Sequence, residues 1–158
     1  MQRIWRIPRH ELWLLMRVCG LLVVLRLLLP RLPLHNLLRW LTPSRIPSHT
    51  DPSLLAKAVR YTGIFLRCIP FPLRGPCLPR ALVLYYVATR AGFPVQLHCG
   101  VRRAGATLEG HAWLSFQGKA FLEGDNPDHS YAITFSFPCV ERAKAAAAVP
   151  CVRRINTP

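Results

Sequence analysis

Of the six cysteines, Cys77 is the one placed to act as a nucleophile. It stands two residues before Pro79, from which ALVLYYVATRAG runs without a breaker until Gly92. That run predicts a helix of about 12 residues, closed by glycine at its C-terminal end. A helix N-terminus offers free N–H groups and a partial positive charge, which stabilise a thiolate. The same N–H groups can hold the oxyanion of a tetrahedral intermediate. Cys99 alternates with Val95 and Leu97 and reads as a core residue. Cys19 lies in an apolar segment, and Cys68, Cys139 and Cys151 fall in breaker-rich or terminal stretches.

A thiolate nucleophile needs a base, and the base needs an orienting group. His111 is the candidate base, in a strand pattern between Gly110 and Ala112, whose small size leaves room for a second chain. His10, His35, His49, His98 and His129 lie in helices, a linker, a strand's polar face or a loop. The acid depends on the turn at Gln117-Gly118. A two-residue loop sets His111 opposite Gly124 and turns Glu123 and Asp125 to the other side. A three-residue loop, Phe116 to Gly118, with Gly118 left-handed in a bulge, pairs His111 with Glu123. Gln suits the first loop poorly, since a type I′ turn wants φ > 0 at both positions. The turn chemistry therefore favours Glu123, with Asp125 as the alternative acid.

Elements able to position these residues follow in order. Residues 42–53, TPSRIPSHTDPS, read as a linker. Thr50 or Asp51 can cap a helix from Pro52 to about Arg67. Pro70, Pro72, Gly75, Pro76 and Pro79 forbid regular structure before the buried helix. Val95, Leu97, Cys99 and Val101 alternate as a strand, then Arg102 to Gly105 turns. LEGHAWLSF and KAFLE are the next strands, and YAITFSF a fourth. AKAAAAV predicts a short helix before a basic tail. Helices followed by an antiparallel sheet make the fold α+β.

The 158 residues allow one domain with an appended arm, and 51% apolar against 18% charged residues excludes a disordered chain. Net charge is +14, so an anionic partner or surface is favoured. Acids are scarce, and Glu109, Glu123, Asp125 and Asp128 cluster around the candidate site. Irregular cysteine spacing without a C-x-x-C favours reduced thiols in the cytoplasm over a disulfide framework. Leu12 to Leu29 is apolar but interrupted by Arg17 and Arg26, too short between charges to span a bilayer. No small-residue cleavage site follows it. It reads as helices at about 9–29 and 34–41, an arm packed on the domain or on a partner, with an amphipathic membrane contact as the alternative.

The segments CLPRAL, AGFPVQLHCGV and GHAWLSFQGKAFLEGDNPD resemble the transglutaminase-like cysteine peptidases of lasso-peptide biosynthesis, the C-terminal half of the B-type maturation proteins. The likeness covers about residues 55–137, and the Arg/Leu-rich arm weakly. It implies a papain/transglutaminase-like core, residues 54–138, between the helical arm 1–41 with its linker and the tail 139–158. Cys77 matches the family nucleophile and His111 the family base. The family's third residue is an Asp about a dozen residues after the His; Glu123 stands there in this chain.

The resemblance further implies the task. A ribosomally made precursor peptide loses its leader, and a separate ATP-dependent cyclase closes a macrolactam. A discrete leader-recognition protein is implied, because the chain leaves no room for that domain, and the arm is a docking surface for it, the cyclase or a membrane. No cofactor is expected. A zinc site from His98, Cys99 and His111 is disfavoured, because adjacent strand residues face opposite sides. Nucleic acid is not expected, since the arginines are spread through apolar segments. The rival readings are a transglutaminase-type acyltransferase, with an amine in place of water, and a basic scaffold in which Cys77 is inert.

Overall fold

The computed structural model describes residues 9–68, 75–124, 127, 130–138 and 151–152. Four helices precede an antiparallel sheet: α1 (Arg9–Leu28), α2 (Leu34–Leu41), α3 (Pro52–Cys68), α4 (Cys77–Arg90), β1 (Gln96–Ala104), β2 (Thr107–Phe116), β3 (Lys119–Phe121), β4 (Ala132–Phe137) and the short β5 (Cys151–Val152). The sheet runs β3-β2-β1-β4-β5. This is the α+β order expected from the sequence. The AKAAAAV segment lies outside the described residues.

Helix ends follow their punctuation. Asp51 caps α3: its Oδ1 accepts from the backbone N–H of Leu54 and of Ser53, both at 3.0 Å. Those bonds, the one from Leu54 foremost, hold the Asp51 carboxyl below its ordinary range. α4 begins at Cys77 rather than Pro79, with Pro76 at the N-cap position, because Pro79 fits the first turn without needing an N–H. At its far end Gly92 takes φ +82, and a Cβ there would lie 2.1 Å from the His49 carbonyl oxygen. Only glycine lets the linker before α3 pass so close.

α4 is buried on most sides, as its composition predicts: Leu82, Val83, Leu84, Tyr85 and Ala88 are all within the core. Leu14, Val18, Leu22 and Leu25 of α1 and Leu38 and Leu41 of α2 join that same core, as do Leu97, Ala112, Leu114 and Phe137 from the sheet. The Tyr85 hydroxyl meets Thr42 Oγ1 at 2.9 Å, so its buried polar end has a partner. Burial pushes the Tyr85 phenol up despite that bond. Among the described residues no helix is long and apolar enough to cross a membrane.

Two turns differ from the sequence reading. β1 continues through Ala104, and the turn is Gly105-Ala106, with Gly105 at φ +61. The β2–β3 connection is the two-residue loop Gln117-Gly118, since Phe116 pairs with Lys119. Gln117 at φ 52 and Gly118 at φ 75 adopt the left-handed pair of a type I′ turn. The bulged three-residue loop is therefore wrong. The twist match of I′ to the strands outweighs the cost of a left-handed Gln.

Candidate active site

Cys77 opens α4 and is a free thiol, as are Cys19 and Cys99 among the described residues. His111 lies in β2, opposite Gly100 of β1. A Cβ at Gly100 would come within 2.9 Å of the Trp113 ring and of the Ala132 carbonyl oxygen. The glycine thus lets the aromatic residues close around the histidine. His111 stacks on Trp113, with ring centroids 5.9 Å apart at 12°, and Tyr131 lies 5.3 Å away on another side. Trp113 is wholly buried and fixes where the imidazole can lie.

With the two-residue loop, a continued strand would set Glu123 opposite Ala112 and Gly124 opposite His111. The strand does not continue. β3 ends at Phe121, and Leu122 takes φ 63. One left-handed residue breaks the alternation and redirects Glu123 toward His111. Glu123 Oε2 lies 3.7 Å from His111 Nε2. Its Oε1 accepts from Arg80 Nη1 at 2.5 Å, and Arg80 Nη2 donates to the Leu122 carbonyl at 2.6 Å. A single guanidinium thus grips both the acid and the strained residue that aims it. Arg80 is on α4, three residues after Cys77, so the clamp ties the acid–histidine pair to the helix carrying the thiol.

The carboxylate stands on the Nε2 side of His111, which leaves Nδ1 as the nitrogen available for proton transfer. Among the described residues no hydrogen bond joins the Cys77 thiol to the imidazole. Such bonds often form only when substrate is bound. Burial pushes the Cys99 thiol up to about 12, with a smaller push from Cys77.

This shift predicts alkaline behaviour. The folded state holds the Cys99 proton above the ordinary 9.0, so the unfolded chain loses it first as pH rises. Stability from this group is whole below about 9 and is lost toward about 12. The urea midpoint should fall between pH 8 and about 10.5, and fall less in Cys99→Ala. Tyr61 and Tyr85, both raised, add to the fall in both proteins alike, so the difference reports Cys99. An equal fall in the two proteins would contradict the assignment.

The sequence pattern places His98 on a strand's polar face, whereas the structure places it in the interior. It is buried, with Nε2 2.7 Å from Ser115 Oγ and Nδ1 2.8 Å from Ser136 Oγ. Its ring lies 5.6 Å from Trp113, behind the tryptophan that supports His111. The signal for it was the serine on each neighbouring strand. Among the described residues, no group of three or more His, Cys, Asp or Glu is arranged to hold a metal ion. The alternative acid Asp125, and the side chains of Cys68, Cys139 and Cys151, lie outside the described residues.

A thiol at a buried helix's N-terminus, with a histidine and an acid presented by the adjoining sheet, can form and resolve a thioester. That chemistry defines a class, the cysteine peptidases and acyltransferases. The chain belongs to the transglutaminase-like superfamily, whose family model matches residues 19–136. The match begins within α1, extends through β1 to β3, and ends in β4. No curated protein and no solved structure matches the chain.

Proposed function

We propose that the protein is a cysteine peptidase that removes the leader from a ribosomally made precursor peptide of the lasso type. The observation that carries the reading is the Arg80 clamp. It holds Glu123 between His111 and the helix whose first residue is Cys77. The likeness of CLPRAL and GHAWLSF to the lasso leader peptidases supplies the substrate class.

In this mechanism Glu123 keeps the proton on Nε2, so that Nδ1 of His111 takes the thiol proton. The Cys77 thiolate attacks the scissile carbonyl at the leader–core junction. His111 then protonates the departing core amine, and the leader remains as a thioester on Sγ. Water, activated by the same imidazole, releases the leader. The enzyme works in the cytoplasm, with a separate leader-recognition protein presenting the substrate and an ATP-dependent cyclase closing the macrolactam afterwards.

Iodoacetamide labelling with peptide mapping at pH 6 to 7 tests the site without substrate. Cys77 should label at least about tenfold faster than Cys99 and Cys19, and lose that advantage in His111→Ala. Labelling no faster than Cys99 would remove the nucleophile from the proposal. Incubation of precursor and recognition protein with the enzyme then tests the substrate class. Mass spectrometry should find one cut at the leader–core junction. An active, selectively labelled Cys77 with an uncut precursor would reject the substrate while leaving the thiol chemistry standing.

A further inference from the structure

α1 has two apolar faces, and only one is used by the fold. Leu14, Val18, Leu22 and Leu25 are buried in the core. On the other side Leu12, Trp13, Met16, Val23 and Leu27 are 49, 60, 65, 46 and 55% exposed. At about 100° per residue these five fall in one stripe roughly 100° wide. Arg26 stands just beyond one edge of the stripe and Arg17 just beyond the other. The Arg17 guanidinium lies 3.8 Å from the centre of the Trp13 ring, where its charge borders the apolar surface. Trp40 of α2, 62% exposed, extends the surface, lining a shallow groove with Met16, Gly20 and Val24. The acid of α1, Glu11, is turned away from the stripe, against Lys57 and the Tyr61 hydroxyl.

We propose that this face of α1, with Trp40, docks the protein on an anionic lipid surface, with the helix lying in the plane of the headgroups. A helix of 20 residues presents a strip about 30 Å long. Its apolar side chains would enter the acyl boundary while the bordering arginines stay at the phosphate level. The charge favours lipid over a second copy. A face-to-face pair would bring arginine borders together with no acid on the stripe to receive them. An anionic headgroup layer meets both borders at once, and the net charge of +14 adds long-range attraction. This inference is independent of the cysteine chemistry.

Flotation of the full chain with phosphatidylcholine vesicles, with and without phosphatidylglycerol, tests it. The protein should bind the phosphatidylglycerol vesicles, with a blue shift in tryptophan emission. Met16→Gln with Leu27→Gln should weaken that binding at least about tenfold, and Arg17→Gln with Arg26→Gln should weaken it similarly at low salt. Leu12→Gln with Val23→Gln replaces the first pair if its melting curve shows a folding loss. The proposal is overturned if phosphatidylglycerol vesicles are not bound. It is overturned if the glutamine pairs bind as tightly as the parent, since bulk charge alone would then explain the attraction. It is also overturned if the stripe variants abolish a dimer in sedimentation velocity while lipid stays unbound, which would make a second copy the occupant.

Discussion

Cys77→Ala is expected to lower precursor processing by at least about 10⁴-fold while leaving the melting temperature within a few degrees of the parent. The reason is the separation of chemistry from packing at this position. Cys77 is a half-buried free thiol in the first helical turn, and the helix start at Pro76 has no side-chain capping bond to lose. Alanine keeps the helical propensity and removes only Sγ. Because thiol and imidazole would act as a unit, Cys77→Ala combined with His111→Ala should be no slower than Cys77→Ala alone. Mass spectrometry of the precursor measures both. Turnover at the parental rate in Cys77→Ala would sink the nucleophile. Added hydroxylamine separates the two members of the class: a peptidase releases mostly free leader acid, whereas an acyltransferase yields mostly hydroxamate.

The helices were legible because breakers bound them. Asp51-Pro52 starts α3 and Gly92 follows the end of α4, whereas α4 itself starts at Cys77, two residues before the Pro79 that the breakers suggest. The alternation in β1 and β2 gave the strands, though both faces turned out to be covered: four consecutive residues, Ala112 to Ser115, are buried. Alternation assigns faces but not what lies against them, so His98 read as a residue on a polar face when Ser115 and Ser136 enclose it. Ser136 belongs to β4, which comes later in the chain and joins β1 through a register shift at Cys99/Gly100. Nothing local to His98 announces that.

The acid shows a different limit. Turn chemistry favours Glu123 through a bulged loop that the structure does not contain, yet among the described residues Glu123 is the carboxylate beside His111. Turn preference at Gln117 was a local energy of about 1 kcal/mol, easily overridden by strand twist. What redirects Glu123 is the left-handed Leu122, a conformation no residue pattern demands there. Arg80 holds it in place from 42 positions away in sequence. A long-range ion pair and carbonyl bond thus determine a feature that register arithmetic assigned to a turn.

Glu123→Gln should lower kcat by about 10²–10⁴-fold with a much smaller change in KM. Glutamine keeps the shape and can still meet Arg80, but it is neutral. The imidazole then loses both the group that fixes its tautomer and the charge that stabilises it when protonated. Removing the carboxylate also leaves the partly buried Arg80 guanidinium without its counter-charge, a cost of about 1–2 kcal/mol that a melting curve would register. Glu123→Asp separates the two effects. It retains charge but shortens the reach from the Leu122 turn, so it should restore part of kcat if orientation of His111 is the main contribution. Asp125→Asn is the counter-test, expected to leave kcat within about twofold of the parent. If Asp125→Asn proves the more damaging change and Glu123→Gln turns over normally, then Glu123 is only the anchor for Arg80. Asp125 would then be the group that orients the histidine.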